Sequence, residues 1–257
     1  MPRIVTLTTD FGLADGYVAA MKGVILSICP DVVLVDITHQ IEPQDVRGGA
    51  YVLGTAARRF PSGTIHLGVV DPGVGSARRG MVLVSGGHIF VGPDNGLFTS
   101  ALGEDSSAVE ISESPEASAT FHGRDLFAPI AARIASGADP LTLGPVLVNP
   151  VHLPDWEKSR GAGGVRGRVM HFDRFGNAIT NLCPGDFDRH PDAFHVPGRE
   201  IGAPVIGRTY ADVLRGEAVW LVGSEGFYEL AVREGSARQR FGLERGDAVI
   251  GVSREKS

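Results

Sequence analysis

Three polar side chains in the first half of the chain have the types needed to activate a water molecule. Asp71 follows a strand-like run, Arg78 comes after a tight glycine-rich turn, and His122 precedes a helix pattern. A carboxylate, a guanidinium and an imidazole at strand and helix ends could together hold a water and take a proton from it. Any one histidine taken alone is better explained as a core residue. The prediction of a catalytic group therefore depends on the fold bringing Asp71, Arg78 and His122 together.

A further carboxylate, Asp10, directly follows the β-branched run of residues 4–8. Open α/β sheets bind ligands at the carboxyl ends of their strands. A carboxylate there can accept two hydrogen bonds, and the vicinal hydroxyls of a ribose offer two donors at matching spacing. A simple turn cap explains Asp10 about equally well, so the residue alone leaves both interpretations open.

The second half contains a compact group of aromatic and polar residues at positions 172–177 (FDRFGN), between two strand patterns. Two aromatic rings could pack on a purine while Asn177 pairs with its edge. The ordinary alternative is a hairpin with Gly176 and Asn177 in its turn. The segment 223–226 (GSEG) is likewise interpreted first as a hairpin turn.

Common nucleotide and metal signatures are missing from the sequence. Residues 10–12 (DFG) lack the upstream glycine-rich loop and lysine of a protein kinase. Residues 71–75 (DPGVG) match neither of the glycine motifs that bind phosphates. The eight histidines show no metal-binding spacing, and Cys29 and Cys183 are too few for a thiolate zinc site or a disulfide scaffold. We therefore expect no metal and no cofactor.

The composition is that of an ordinary globular protein. The chain has 257 residues, of which 43% are hydrophobic and 21% charged, and its net charge is −6. The apolar content argues against global disorder, and the negative charge argues against a broadly basic nucleic-acid-binding protein. No uncharged apolar run approaches the ~18 residues of a membrane span, and the N-terminal residues contain no apolar signal core. We expect a soluble, cytoplasmic protein without nucleic-acid or membrane partners.

Strand and helix patterns alternate through the first half, which is typical of an α/β domain with a mostly parallel central sheet flanked by helices. The predicted strands cover residues 4–8, 32–37, 64–70, 81–84 and 88–91. The second of them is apolar enough to be buried on both faces, and the last two form a predicted hairpin about Gly86 and Gly87. The predicted helix N-caps are Asp15, Asp45 and Asp125. The first helix carries an apolar stripe at Val18, Met21, Ile25 and Ile28.

The pattern changes after residue 150. Residues 151–164 combine proline, glycine and charge without a period, and we interpret them as a linker. Strand patterns follow over residues 165–172, 178–182, 218–222, 227–232 and 248–252. These short strands, with few helices between them, predict a smaller all-β, barrel-like domain or a sandwich. The predicted organisation is an α/β domain over 1–150, the linker, and a β domain over 165–257.

Six sequence blocks occur in an order that resembles one known family. The blocks are TTDFGLADGYVAAMKGVI, VDPGVG followed by Arg78, GPDNGL, FHGRD, FDRFGNAITN and GSEGFYELAVREGSA. Together they resemble the S-adenosyl-L-methionine hydroxide adenosyltransferases, relatives of the S-adenosylmethionine fluorinases and chlorinases. The resemblance runs from about residue 4 to residue 252 and is much more specific than any single block.

The resemblance implies an N-terminal α/β domain, a C-terminal β domain and a homotrimer with active sites between the N-terminal domain of one subunit and the C-terminal domain of the next. It implies that Asp71, Arg78 and His122 form the Asp-Arg-His set that marks the hydrolase branch. The implied substrate contacts are Asp10 at the ribose, Asn177 and Ala237 at the adenine, Phe175 and Tyr210 packing nearby, Asp173 and Ser224 at the methionine end, and Phe121 as a further binding residue.

Differences from the halogenating relatives favour water over halide as the nucleophile. Those relatives carry a tyrosine where Asp71 stands and an aromatic residue where His122 stands. The fluorinase also carries a serine at the Gly123 position and a long insertion in the hairpin, which here is only residues 85–87.

Two further positions depart from the fluorinase. Gln44 replaces an aromatic residue on the ribose side, and Glu225 replaces an arginine that binds the substrate carboxylate. A glutamate would repel that carboxylate. Arg174 or Arg233 could bind it instead.

The expected reaction is attack of water at C5′ of S-adenosyl-L-methionine, giving adenosine and L-methionine without a cofactor. Arg78 would stabilise the developing hydroxide, and His122 and Asp71 would orient and deprotonate the water. Which of these two accepts the proton stays open. The alternatives are a chlorinase-like enzyme that uses halide, a non-catalytic protein that binds adenosine or S-adenosylmethionine, and a hydrolase of another substrate.

Overall fold

The computed structural model describes residues 3–112, 116–154, 157–161 and 163–253. The chain divides into two compact units, Met1–Leu153 and Pro154–Ser257. Each unit has its own hydrophobic core.

The first unit is built on a mixed, mostly parallel sheet. Its elements are β1 (Ile4–Thr9), α1 (Tyr17–Ile28), β2 (Val33–Thr38), α2 (Val46–Ala57), β3 (Ile65–Val69), β4 (Gly80–Ser85), β5 (His88–Pro93), β6 (Ser107–Ile111) and α3 (Ala128–Ala135). The strand order is β2-β1-β3-β5-β4-β6. The first four strands of this order run parallel, and β4 is antiparallel to both of its neighbours. The predicted α/β class is confirmed.

Helices cover both faces of this sheet. Met21 of α1 and Ile134 of α3 belong to one buried cluster, and Leu53 of α2 belongs to another. Val82 packs into the first cluster and the adjacent Leu83 into the second. This division follows from strand geometry, because successive side chains point to opposite faces of the sheet.

The second unit is a nearly closed, barrel-like β structure, as the strand patterns predicted. Its elements are β7 (Ser159–Gly161), β8 (Gly164–Phe172), β9 (Ala178–Thr180), β10 (Ala193–His195), β11 (Val205–Ile206), β12 (Ala218–Val222), β13 (Tyr228–Val232), α4 (Ala237–Phe241) and β14 (Ala248–Val252). The strand order is β10-β14-β8-β9-β13-β12-β11, with β7 beside β8. The sheet surrounds one core that contains Trp220, Tyr228 and Leu230. Strand β7 lies within the segment 151–164 that we interpreted as a linker.

Two of the three predicted helix caps are wrong. Helix α1 begins after Gly16, without a side-chain cap, so Asp15 lies one residue outside the cap position. The third helical segment begins earlier than predicted, with a π-helical turn over Gly123–Phe127. Asp125 therefore lies inside the helical segment, where it accepts a hydrogen bond from the Ser118 amide at 3.0 Å. Asp45 is confirmed as a cap, because its Oδ1 accepts from the Gly48 amide at 3.0 Å.

The predicted burial of the second strand is also wrong. Strand β2 lies at the edge of the sheet, next to β1 alone, and Val33 is 42% exposed. The apolar stripe of α1 is shorter than predicted, because Ile28, its last residue, is exposed while Val18, Met21 and Ile25 are buried.

The predicted hairpin between β4 and β5 is confirmed. Gly86 and Gly87 have φ values of 56° and 80°. A two-residue turn with positive φ at both positions matches the twist of the strands and favours glycine. Within the described ranges, no helix is long and apolar enough to cross a membrane.

Candidate active site

The carboxyl edge of the parallel sheet positions the first two acidic residues. Strands β1 and β3 are parallel neighbours, and Thr9 pairs with Val69 at their carboxyl ends. Asp10 and Asp71 follow these strands directly or after one residue, so both lie at the same edge of the sheet. The structure thus provides the strand-end placement that the sequence predicted.

Asp71, Arg78 and His122 form one hydrogen-bonded group. Arg78 Nε lies 3.0 Å from both carboxylate oxygens of Asp71, and Arg78 Nη2 donates to Asp71 Oδ2 at 2.6 Å. The same Nη2 lies 2.6 Å from Nδ1 of His122. Although Asp71 and His122 are 51 positions apart in the sequence, the guanidinium of Arg78 contacts both. The fold therefore brings together all three predicted catalytic side chains.

The contact between Arg78 and His122 determines where the imidazole carries its proton. A guanidinium nitrogen can only donate a hydrogen bond. Nδ1 of His122 must therefore be the accepting, unprotonated nitrogen, and the ring proton is on Nε2. In this arrangement His122 can donate through Nε2, but it can accept a proton at Nδ1 only after losing its contact with Arg78.

The group is withdrawn from solvent. The side chains of Arg78 and Asp71 are 10% and 4% exposed, and His122 is fully buried at the start of the π-helical turn. Arg78 also stacks over the ring of Phe127, with 5.1 Å from its central carbon to the ring centroid. Within the described part of the chain, Nη1 of Arg78 is buried and has no hydrogen-bond partner. The charge of the guanidinium is thus held next to Asp71 and His122, and Arg78 itself is not among the residues that line the neighbouring pocket.

A pocket of about 380 Å³ opens beside this group, within the first unit. Asp71 and His122 line it, together with the aromatic rings of Phe11, Tyr17 and Phe121. The three rings contact one another edge to face, with centroid separations of 5.9, 5.9 and 5.1 Å. Phe121 was predicted as a binding residue. Phe11 and Tyr17 were not predicted, although both lie in the first block of the family resemblance.

Asp10 contributes to the local backbone structure at the sheet edge. Its Oδ2 accepts a hydrogen bond from the Gln44 amide at 2.8 Å. Gln44 has a positive φ of 67°, an uncommon conformation for a residue with a side chain. One carboxylate oxygen therefore fixes a turn, and the role of a turn cap and that of a ribose ligand are compatible in the same residue.

In the second unit, residues 173–177 form a tight turn between β8 and β9. Asp173 Oδ1 accepts from the amides of Phe175 and Asn177, at 3.0 and 2.9 Å. Its Oδ2 accepts from the side-chain amide of Asn177 at 2.8 Å. Phe175 is 75% exposed, which is unusual for a phenylalanine and leaves its ring available to pack against another molecule. The hairpin interpretation and the binding interpretation of this segment are again compatible.

One other predicted residue, Ala237, lies close to this turn, and a second, Tyr210, is near enough to its carboxylate to feel the charge. The amide of Arg238 donates to the carbonyl of Gly176 at 3.0 Å, which holds the start of α4, including the buried Ala237, against the turn. Burial, the hydrogen bond to Glu229 and the nearby charges of Glu229 and Asp173 raise the pKa of Tyr210. Ser224 lies in the hairpin turn between β12 and β13, and its hydroxyl donates to Glu225 at 3.4 Å.

Glu229, which was not predicted from the sequence, is bonded to one of these residues. Its carboxylate accepts a hydrogen bond from the Tyr210 hydroxyl at 2.6 Å, and the side chain is nearly buried in β13. The available signal was a single acidic residue within the otherwise apolar strand sequence YELAV. We interpreted this run only as a strand pattern.

The arginines proposed to replace the carboxylate-binding residue differ in their contacts. Arg233 donates to the Val213 carbonyl at 2.8 Å, so it is engaged with the backbone. Arg174 is exposed in the turn between β8 and β9. Among the described residues, no group of three or more His, Cys, Asp or Glu side chains could hold a metal ion.

Comparison with known proteins gives consistent matches over both units. Residues 5–144 match the SAM hydroxide adenosyltransferase N-terminal domain, and residues 167–250 match the corresponding C-terminal domain. A protein from Salinispora tropica named (R)-S-adenosyl-L-methionine hydrolase is 41% identical, covering 95% of this chain and 96% of that protein. A protein of the same name from Thermus thermophilus is also 41% identical, covering 96% and 98% of the two chains.

More distant sequences and a solved structure agree with these matches. A fluorinase from an Actinoplanes species is 28% identical over 96% of each chain. The crystal structure of an uncharacterized conserved protein from Thermotoga maritima superposes with a TM-score of 0.85 at 33% identity, covering 97% of this chain and all of that one.

Proposed function

The chain belongs to the SAM hydroxide adenosyltransferase family, and from this premise we propose that it hydrolyses S-adenosyl-L-methionine at C5′ of the ribose. The products are adenosine and L-methionine. The observation that carries the proposal is the hydrogen-bonded group of Asp71, Arg78 and His122, of which Asp71 and His122 line a pocket.

The chemistry requires activation of the nucleophile and not of the leaving group. A bond forms between the water oxygen and C5′, and the bond between C5′ and sulfur breaks. Its electron pair goes to sulfur, which leaves as the neutral thioether of methionine. Because water is a weak nucleophile, a positioned base contributes about 10²–10⁴-fold to the rate. Placement of the water in line with the breaking bond contributes further.

We propose that the carboxylate of Asp71 accepts the proton of the attacking water. This carboxylate lines the pocket, and His122 is held by Arg78 in the tautomer that donates through Nε2. His122 then orients the water, and Arg78, bonded to both of these residues, stabilises the developing hydroxide by its charge. The reaction needs no metal and no covalent intermediate.

The substrate is a cation flanked by an aromatic base, and the aromatic residues suit both parts. The rings of Phe11, Tyr17 and Phe121 form an aromatic wall that favours the sulfonium through cation–π attraction. Asp10 binds the ribose hydroxyls. The adenosine and methionine ends contact the residues of the second unit that the resemblance implied: Asp173, Phe175, Asn177, Tyr210, Ser224 and Ala237. We propose a homotrimer in which these residues come from a neighbouring subunit.

The relatives named (R)-S-adenosyl-L-methionine hydrolase suggest which sulfonium epimer is the substrate. We propose that this chain also prefers the R configuration at sulfur. Because S-adenosyl-L-methionine is made and used in the cytoplasm, we propose that compartment as the place of the reaction.

Turnover in H₂¹⁸O tests the reaction directly. Purified protein is incubated with each sulfonium epimer in metal-free and chloride-free buffer. The products are separated by chromatography, and their masses are measured by mass spectrometry. We expect ¹⁸O in the 5′-hydroxyl of adenosine, unlabelled methionine, faster turnover of the R epimer, and almost no product with the Asp71→Asn variant. Label in methionine-derived homoserine would contradict attack at C5′.

Two further measurements distinguish hydrolysis from halogenation and from binding without catalysis. Addition of chloride should not produce 5′-chloroadenosine, and its appearance would identify a halogenase. Intact substrate after hours, together with measurable adenosine binding, would identify a non-catalytic binding protein.

A further inference from the structure

Glu229 is a nearly buried acidic side chain in an otherwise apolar strand. It is 6% exposed, and its neighbours in β13 are Tyr228 and Leu230, both fully buried. A carboxylate in such a place is costly unless its oxygens have partners. Its contacts therefore indicate why the fold accommodates it.

Both oxygens of Glu229 lie against segments that carry proposed substrate contacts. Oε1 accepts a hydrogen bond from the Tyr210 hydroxyl at 2.6 Å. Oε2 packs against Gly223, where any Cβ would clash with it. Gly223 begins the turn that carries Ser224. The carboxylate thus fills the space between Tyr210 and this turn.

The third substrate-binding segment is one strand away. Glu229 pairs with Ile179 of β9, which directly follows the turn that Asp173 closes. Asp173 and Glu229 are close enough for their charges to interact, and burial together with Asp173 raises the pKa of Glu229. Glu229 therefore adjoins all three segments that form the proposed adenosine and methionine contacts in this unit.

The ring of Tyr210 needs such an anchor. It is 44% exposed, so packing alone does not fix its rotamer. A short hydrogen bond from a phenol to a carboxylate is stronger than one to a neutral acceptor. The bond to Glu229 fixes the hydroxyl end and so restricts the χ1 rotamer that places the ring.

We propose that Glu229 is a positioning residue, whose buried carboxylate holds Tyr210 in the orientation that receives the adenosine part of the substrate. This role rests on the proposed function, because Tyr210 is a substrate contact only if adenosine binds here. Glu229 itself does not touch the reacting atoms.

A double-mutant cycle on adenosine binding tests the proposal without requiring turnover. The dissociation constant for adenosine is measured by calorimetry for the full-length wild type, Glu229→Gln, Tyr210→Phe and the double variant. Because a charge-assisted bond is roughly twice as strong as a neutral one, we expect about a tenfold rise in Kd for Glu229→Gln. In the Tyr210→Phe background the same substitution should change Kd less than twofold, since the hydroxyl is already absent.

In steady-state kinetics, Glu229→Gln should raise KM by a larger factor than it lowers kcat. The reason is that the position of Tyr210 affects the binding of the adenine ring and not the chemical step. Tyr228→Phe is the matched control. It also removes a tyrosine hydroxyl from this unit, one bonded to His190 at 3.0 Å, and its adenosine Kd should equal that of the wild type. If Glu229→Gln fails to fold, Glu229→Asp takes its place, since it keeps the charge but withdraws the carboxylate by one methylene.

The possible outcomes distinguish a failure of the Glu229 positioning role from a failure of the proposed hydrolase function. Wild-type protein that binds no adenosine and does not turn over the substrate would overturn both. Wild-type protein that binds adenosine, with an equal Kd for Glu229→Gln, would overturn the positioning role alone. Equal losses from Glu229→Gln in the wild-type and Tyr210→Phe backgrounds would also overturn it, because the carboxylate would then act independently of the hydroxyl.

Discussion

Each unit contains a buried carboxylate, and the two are held in opposite ways. Asp71 receives three contacts of 2.6 to 3.0 Å from one guanidinium, so a cation of opposite charge faces it directly. Glu229 receives its hydrogen bond from a phenol, which is neutral. The nearby charge that acts on Glu229 is another carboxylate, Asp173.

The difference shows how the environment selects a role for the same chemical group. A carboxylate that a guanidinium holds in place at the wall of a pocket can act on a water molecule there. A carboxylate buried without a cation has a raised pKa and gains stability mainly through fixed hydrogen bonds. The first arrangement suits proton transfer, and the second suits the positioning of a neighbouring side chain.

The largest effect should follow from removing the charge of the first carboxylate. We expect Asp71→Asn to lower kcat by about 10²–10⁴-fold, the contribution of a positioned base, while the adenosine Kd stays within twofold. Steady-state kinetics and calorimetry measure the two quantities.

Asp94→Asn is the matched control for this substitution. Asp94 is also buried and pairs with Arg79 at 2.5 Å, but its other oxygen accepts from the Val151 amide at 2.7 Å, which makes it a structural residue. Its loss should leave kcat per folded molecule unchanged. Equal falls in kcat for both variants would mean that Asp71 acts only through the fold.

The two carboxylates should also differ in what they contribute to stability. Arg78→Met leaves Asp71 buried without its cation, which typically costs about 3 kcal/mol or more in the free energy of unfolding. Glu229→Gln removes a buried charge that faces no cation, so we expect a change within about 0.5 kcal/mol, or a gain. Urea unfolding of both variants gives the comparison.

The double variant Asp71→Asn with Arg78→Met sharpens this stability test. It should recover part of the loss, because no uncompensated charge remains. A Glu229→Gln variant less stable than Arg78→Met would reverse the comparison between the two units.

Removal of the exposed ring of Phe175 should affect binding without affecting stability. Stacking of a base on an aromatic ring is worth about 1–3 kcal/mol, so Phe175→Ala should raise the adenosine Kd about tenfold. Its unfolding free energy should change by less than about 0.5 kcal/mol, because an exposed side chain packs little in the monomer.

Leu214→Ala offers the control for Phe175→Ala, since Leu214 is another exposed apolar residue of the same unit. It should change neither quantity. A loss of stability for Phe175→Ala that matches its loss of binding would assign the ring to the fold.

The smallest effect is a dependence on pH that comes from Glu229. Its pKa is raised by burial and by Asp173, and its carboxylate form accepts the hydrogen bond from Tyr210. As the pH falls towards the ordinary glutamate pKa, Glu229 takes up its proton earlier than a free glutamate would, and the adenosine Kd of the wild type should rise about threefold as this bond loses its charge assistance. Glu229→Gln should show a flat profile.

The stability should change in the opposite direction to the binding. A raised pKa means that the folded state binds this proton more tightly than the unfolded chain does. The wild type should therefore gain stability relative to Glu229→Gln as the pH falls through the same window. A parallel decrease of binding and stability would show that another group titrates.

Much of the fold was predictable because it depends on local periodicity. The alternation of strands with helices gave the α/β class, and Gly86 with Gly87 gave the hairpin, since a two-residue turn with positive φ favours glycine. The N-caps were less predictable. Asp15, Asp45 and Asp125 have the same local appearance, and only Asp45 is a cap, because the exact start of a helix is decided by tertiary packing.

The burial of β2 could not be derived from its sequence. The apolar run of residues 32–37 predicted a strand buried on both faces, whereas β2 lies at the edge of the sheet with a neighbour on one side alone. Strand order is a property of the whole sheet, and residue types within one strand do not encode it.

The sequence by itself determined which residues could do chemistry and, through the order of its six blocks, the family to which the chain belongs. Tertiary structure decided the relations among those residues: a single guanidinium joins Asp71 to His122, its contact selects the imidazole tautomer, and Glu229 reaches Tyr210 across the sheet of the second unit. The physical reason is that residue identity supplies donors, acceptors and charge. Hydrogen bonds act over about 3 Å, so only the folded chain sets which of these groups meet.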